Sequence, residues 1–139
     1  MAGTNAGSNP RTPQAPPVNQ LSPGEATRGL MRRALKASLA TVEAATGHPY
    51  ASLVTIATDV DGTPLFLIST LALHTQNLKS DARASLLFDG TDAAGDPLAG
   101  GRVTVMGRAV KSERSTARER FLARQEHARQ IQRIGGAEN

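Results

Sequence analysis

The chain of 139 residues contains no cysteine and no tryptophan, and only one tyrosine and three phenylalanines. The absence of cysteine excludes disulfide bonds, thiolate metal sites and cysteine nucleophiles. Because aromatic residues are only 3% of the chain, its core must be built from leucine, valine, isoleucine and alanine. A single domain of this length is still large enough to bury such a core.

Long apolar runs are also missing. None approaches the roughly 18–20 residues that a membrane-spanning helix needs, and the N-terminus lacks the charged-then-apolar order of a secretory signal. We therefore expect a cytoplasmic protein with no membrane partner. Residues 1–21 are rich in Gly, Pro, Asn, Ala and Gln and carry one charged side chain, Arg11, which predicts a disordered arm. The folded domain is expected over residues 22–134, followed by a tail over residues 135–139.

Positive charge is concentrated near the C-terminus, although the whole chain carries a formal charge of only +4. The stretch from residue 114 to residue 134 contains six arginines and only two acidic residues, Glu119 and Glu126. A solvated helix face is the expected reading. Nucleic acid is the alternative partner but is not expected, because Phe121 is the only aromatic residue among these arginines. The six are Arg114, Arg118, Arg120, Arg124, Arg129 and Arg133.

Local patterns predict helices at both ends of the domain and strands between them. Ser22, Pro23 and Glu25 form a capping box that starts a helix running to about Lys36. The last helix is expected over residues 113–134. Three further strands are predicted over residues 37–45, 84–88 and 102–112, and Gly107 in the last of them would suit a bend or a bulge.

The middle of the chain carries the strongest local signal. Two apolar runs, residues 51–58 and 64–70, flank the turn sequence Asp59-Val60-Asp61-Gly62, which predicts a β-hairpin. A short helix over residues 74–81 should follow, with polar residues in its first turn. Short connections between strands imply an antiparallel sheet that curls into a barrel. We therefore predict a mainly β (α+β) fold, an antiparallel split β-barrel with flanking helices.

Several stretches together resemble the pyridoxamine-phosphate-oxidase-like split β-barrels, which bind FMN, and especially the haem-utilisation branch of that superfamily. The most specific stretch runs from Ser69 to Leu78 and continues over residues 82–87. The others are residues 37–41, 49–54, 95–98, 102–107 and 120–124. The resemblance covers roughly Arg28 to Arg129.

The resemblance implies where FMN would lie. Its ring system would lie against the strand matching residues 51–54 and the strand end at residues 69–70, and its phosphate would meet the turn and helix at residues 73–77. A helix N-terminus favours an anion, which agrees with this placement. The implied cofactor-binding residues are Ser52, Leu53, Val54, Ser69, Thr70, His74, Thr75 and Asn77, with Arg102 as a secondary candidate near the flavin ring.

Two departures from the family pattern affect these expectations. Oxidase relatives usually carry Arg-Lys where this chain has Leu73-His74, and a histidine is only partly charged at neutral pH. FMN binding should therefore be weaker, and a capping or surface role for His74 stays open. Haem-utilisation relatives also continue with a further strand and a C-terminal segment, in which the haem ligand would be sought. Because His127 is a poor substitute, haem is not expected.

The missing strand would leave an unpaired sheet edge that needs cover. Relatives form dimers with FMN at the interface, so a homodimer is expected. The leading functional prediction is an FMN-dependent oxidoreductase that acts on a small-molecule substrate. The alternative is a non-catalytic flavin- or haem-binding module. The sequence offers no acid or base aimed at a substrate and no metal site, so no catalytic residue is predicted.

Overall fold

Three helices and six strands make up the part of the chain that the computed structural model describes, residues 21–135, with backbone alone for residues 130–135. The predicted arm over residues 1–21 and the predicted tail over residues 135–139 lie outside this part, apart from Leu21 and Gly135. The elements are α1 (Pro23–Arg33), β1 (Lys36–Val42), β2 (Pro49–Thr55), β3 (Ala57–Thr58), β4 (Pro64–Leu65), α2 (Leu73–Ser80), β5 (Arg83–Asp89), β6 (Arg102–Arg108) and α3 (Ser115–Gly135).

Four strands form an antiparallel sheet in the order β2-β1-β5-β6, and β3 pairs only with β4. This arrangement confirms the predicted α+β fold of the split-barrel type. The sheet does not close on itself within the described residues, because β2 and β6 remain its two edges. Its inner face carries the core, in which Leu39, Ile56 and Phe88 are fully buried.

The capping box at the start of α1 forms as predicted. The Ser22 backbone N–H donates to the Glu25 carboxylate at 2.8 Å, and the Glu25 N–H donates back to the Ser22 hydroxyl at 3.3 Å. Hydrogen bonds to the Glu25 carboxylate from the Ser22 backbone N–H and from the Ser22 hydroxyl lower the pKa of that carboxyl. The helix ends at Arg33, three residues earlier than predicted, because Ala34 is already extended with ψ 136°.

The predicted hairpin is present in its turn but wrong in its extent. Only two residue pairs join its arms, Ala57 with Leu65 and Thr58 with Pro64. Most of the predicted first arm, residues 51–55, belongs to β2, which pairs with β1 instead. The chain changes sheets at the fully buried Ile56, whose N–H donates to the Leu35 carbonyl at 3.0 Å. Gly62 closes the turn at φ 91°, a conformation that glycine adopts without strain.

Two strands are shorter than predicted. The first ends at Val42 rather than at residue 45, since the Ala44 N–H donates to the Asn77 side chain instead of to a strand. The last ends at Arg108 rather than at residue 112. Gly107 forms no bulge, because it faces Ala84 in an uninterrupted register.

Helix α3 is fixed to the rest of the domain through its first half. Ala117 and Phe121 are each only 6% exposed, whereas the neighbouring Leu122 is 43% exposed. Farther along, the Gln125 side chain donates to the Ile56 carbonyl at 3.0 Å. Phe121 therefore anchors α3 to the rest of the domain, whereas Leu122 does not. No helix among the described residues combines the length and the apolar composition that crossing a membrane requires.

Replacing Phe121 with alanine should lower the free energy of unfolding by about 3–5 kcal/mol, the usual cost of deleting a buried aromatic side chain. Leu122→Ala is the matched control on the same helix and should be nearly neutral, because much of that side chain already contacts water. Urea denaturation of both variants measures the difference. Equal effects of the two substitutions would show that α3 does not pack through Phe121.

Candidate cofactor site

The N-terminus of α2 is open. Its N-cap residue, Ala72, has no side chain that can accept a hydrogen bond, and the first turn holds no acidic residue. The backbone amides of Leu73 and His74 have no acceptor among the described residues. The exposed N–H groups and the helix dipole make this end of α2 attractive to an anion.

His74 in that first turn contacts Ser52 on β2. The Ser52 Oγ lies 3.1 Å from His74 Nδ1. Ser52 faces the inner side of the sheet, where it stands opposite Leu39. The second ring nitrogen, Nε2, is buried without a hydrogen-bond partner in the described structure. A buried polar atom of this kind is available to a ligand group that reaches it.

The loop before α2 is fastened onto its first turn. The Thr75 hydroxyl donates to the Ser69 carbonyl, and the Gln76 side chain donates to the Thr70 carbonyl at 2.8 Å. The Ser69 Oγ accepts from the Leu71 N–H at 3.2 Å. Thr75 is only 8% exposed and its single proton is already used. Of these hydroxyl groups, those of Ser69 and Thr70 keep their protons for a ligand.

Asn77 holds α2 against the sheet. Its side chain is fully buried. The amide oxygen accepts from the Ala44 N–H at 3.1 Å, and the amide nitrogen donates to the Thr41 hydroxyl at 3.1 Å. Both ends of the amide are therefore occupied by protein groups. Asn77 therefore positions α2, and its direct contact with a cofactor stays a prediction.

The remaining predicted site residues lie apart from this cluster. Val54 is 6% exposed and belongs to the core, whereas Leu53 points to the opposite, outer face of the sheet and is 65% exposed. Arg102 begins β6, and two strands separate it from β2. Its guanidinium donates to the Leu98 carbonyl at 3.2 Å. The structure thus brings together Ser52, Ser69, Thr70, His74 and Thr75, but not Leu53, Val54 or Arg102.

A second feature, which the sequence reasoning missed, lies on the outer face of the sheet. Leu53, Leu87 and Met106 are 65%, 41% and 82% exposed. The strand register places them on one face, since Leu53 and Leu87 both flank Ser38 and Met106 lies opposite Ser85. Ser38, Ser85 and Thr104 lie between or beside these side chains on the same face. The apolar residues of this face are here called the outer strip: Ala40, Ala51, Leu53, Leu87 and Met106. Strand alternation traced across all four strands would have revealed it.

Basic side chains stand at both ends of the outer strip. Lys36 and Arg102 lie at one end, and Arg83 and Arg108, which face each other, lie at the other end. At the second end, the Asp81 carboxylate accepts hydrogen bonds from Arg83 and partly neutralises the positive charge. These hydrogen bonds lower the pKa of the Asp81 carboxyl to about 2. At the first end, Asp89 is the register partner of Arg102 and partly neutralises the positive charge. The pKa of the Asp89 carboxyl is lowered, mainly by hydrogen bonds from Thr91.

A profile of the pyridoxamine 5'-phosphate oxidase family matches residues 24–137, which is most of the chain. The chain belongs to this family. Its open helix end and its outer strip are thus features of a pyridoxamine 5'-phosphate oxidase family domain.

Relatives of this family member include proteins whose names refer to haem. A non-canonical haem oxygenase of the Arabidopsis thaliana chloroplast is 33% identical over 111 residues, which are 76% of this chain but 33% of that protein. A haem-binding protein from Mycobacterium smegmatis is 34% identical with a TM-score of 0.66, over 76% of this chain and 43% of the other. The chain therefore spans less than half the length of these relatives.

Two further structures share the family fold. A protein of unknown function from Agrobacterium tumefaciens is 34% identical with a TM-score of 0.65, over 83% of this chain and 52% of the other. The haem storage protein HutZ from Vibrio cholerae is 22% identical with a TM-score of 0.58, over 73% of this chain and 72% of the other. The latter likeness concerns the fold alone.

Replacing Asn77 with alanine should destabilise the domain by about 2 kcal/mol or more, because it leaves the Ala44 N–H and the Thr41 hydroxyl without this partner. Ser80→Ala, at the exposed C-terminal end of the same helix, is the control and should be nearly neutral. Urea denaturation measures both. An Asn77→Ala protein as stable as the control would mean that the buried amide does not fix α2.

Proposed function

We propose that this domain binds haem on the outer strip. The observation that carries the proposal is the combination of an exposed apolar surface with cations at both ends. Leu53, Leu87 and Met106 offer contact to a planar macrocycle. Lys36 and Arg102 stand at one end, where carboxylates on such a molecule would be paired.

The fit of the side chains to haem supports this choice. Large exposed apolar patches mark binding surfaces more often than ordinary solvated faces, and arginine pairs well with carboxylate groups. Two relatives that are at least 33% identical over three-quarters of this chain are haem proteins by name. They therefore favour haem over other flat anionic ligands.

Bound haem would supply iron redox chemistry, while the protein supplies apolar contact and charge. The role proposed for this chain is binding, which is the non-catalytic module that the sequence left as the alternative. An oxidoreductase activity toward a small-molecule substrate is a further step, and it would need protein groups that move protons. The alanine, leucine and methionine side chains of the outer strip do not transfer protons.

Titration with hemin tests the proposal. Met106→Glu should weaken hemin binding at least about tenfold, because the variant places a carboxylate on the apolar strip and opposes the carboxylates of hemin. Val110→Glu makes the same type of change just beyond β6, at a residue 85% exposed and outside the strip, and should bind like wild type. The shift of the hemin absorbance band measures both affinities.

Three results would contradict the proposal: no hemin binding by the wild type, equal binding by both variants, or a larger loss in Val110→Glu. Because both residues are highly exposed, neither substitution should disturb folding, and thermal melting provides the check. Loss of binding without loss of melting temperature then reports on the surface alone.

FMN is the second candidate, and the open N-terminus of α2 favours it. The amides of Leu73 and His74 and the hydroxyl of Ser69 are suitable donors to a phosphate. The fit is partial, because the first turn of α2 contains no lysine or arginine. The Thr75 hydroxyl already donates within the protein, and Asn77 donates one of its two amide N–H groups to Thr41. This is why haem is preferred here to the FMN that the family resemblance implies.

If FMN binds at this helix end, His74→Lys should tighten its binding, because lysine offers a charged donor to the phosphate. About tenfold is expected for one charge-assisted hydrogen bond. Ser80→Lys adds the same charge at the far end of α2 and serves as the control. Quenching of flavin fluorescence measures both affinities. An equal gain in the two variants would contradict a charged contact at residue 74.

We also propose that a second copy of the chain covers the outer strip, with the cofactor between the two copies. The basis is the same exposed surface, which a monomer leaves in water. Sedimentation should show a dimer for the wild type and for Val110→Glu, and a monomer for Met106→Glu. A wild type that binds hemin as a monomer would overturn the dimer and leave the haem proposal standing.

A further inference from the structure

A basic cavity lies on the other side of the domain, away from both α2 and the outer strip. It has a volume of about 320 Å³ and is lined by the end of α1, by β3 and by α3. Its polar lining is dominated by three arginines, Arg32, Arg120 and Arg124. Small residues form the remainder: Ala57, Thr58 and Ala123. We call this the arginine cavity.

Two of these arginines are held in place by the protein. The Arg124 guanidinium donates to the Arg32 and Arg33 carbonyls at 3.2 and 3.0 Å, at the C-terminal end of α1. The Arg120 Nε lies 3.4 Å from an Asp59 carboxylate oxygen. Each contact uses one nitrogen of a guanidinium that carries five N–H donors. Both groups therefore keep donors free while their positions are fixed.

Positive charge in this region exceeds the negative charge that balances it. Asp59 is 8% exposed and is shared between Arg120 and Arg114, whose contact is 3.8 Å. Arg32 has no acidic partner within residues 21–135. The cavity lining thus contains three guanidinium groups and no carboxylate, and Asp59 contacts only one of the three, Arg120. Arginine pairs with phosphate and carboxylate through parallel hydrogen bonds, so the surplus favours an anion with at least two charges.

We propose that the arginine cavity binds a compact small-molecule anion that carries two or more phosphate or carboxylate charges. Arg120 and Arg124 supply pre-positioned donors, and the exposed Arg32 closes on the ligand from α1. The site is independent of the cofactor surface proposed above, because it lies between the helices on the opposite side of the sheet. It could therefore be occupied whether or not the outer strip holds haem.

Inorganic pyrophosphate and citrate are the probes, since they present the phosphate and carboxylate forms of this chemistry. In a ¹H–¹⁵N NMR titration of the full chain, the amides of Ala57, Thr58 and Ala123 should shift with saturation. Preference for one probe identifies which anion class the site selects. Failure of both to shift these amides would overturn the proposal.

Arg120→Gln should weaken binding of the preferred probe about tenfold or more. Arg118→Gln is the matched control, because it removes the same charge from the exposed face of the same helix, outside the cavity lining. Since Arg120→Gln also disturbs Asp59, Arg32→Gln is the second variant, and it too should lose at least severalfold. Equal affinities of Arg118→Gln and Arg32→Gln would mean that only general charge attraction is present.

Discussion

The candidate site depends on one buried amide. Asn77 joins α2 to β1 through Thr41 and to the β1–β2 connection through Ala44, and both hydrogen bonds span more than thirty residues of sequence. An amide without both partners in such a place would be costly, so its pairing fixes the position of the helix. The open end of α2 and the contact of His74 with Ser52 follow from that position. The end of β1 follows as well, because Ala44 donates to the amide rather than to a neighbouring strand.

Local sequence signals proved accurate where the interaction that they describe is also local. Three features each involve residues that are only a few positions apart: the capping box of Ser22 and Glu25, the turn at Gly62 and the short helix after Ala72. The family resemblance also gave the correct fold class. Pairing partners were harder to predict. The arm over residues 51–58 is split at Ile56, because a hydrogen bond to Leu35 directs the chain from one sheet to the other.

Site residues divide in the same way. Ser69, His74 and Thr75 are close in sequence, and their grouping around one helix end could be predicted. Whether a donor is already used was harder to predict. Asn77 donates to Thr41, which lies 36 residues earlier in the sequence, whereas Thr75 donates to the nearby Ser69 carbonyl. The outer strip was not predicted for a related reason. Its members come from four strands, and only the register shows that Leu53, Leu87 and Met106 share one face.

The register of the main sheet also bears on how the chain folds. The main sheet consists of two antiparallel pairs, β1 with β2 and β5 with β6. Each pair, here called a ribbon, is formed by two strands joined directly by one connection. The two ribbons meet through only three residue pairs, of which Leu39 with Leu86 is the central one. Contacts between distant parts of a chain require the closure of a long loop, and they form more slowly than those within a hairpin. We therefore expect each ribbon to form before the sheet that joins them, because the residue pairs between the ribbons are more distant in sequence than those within either one.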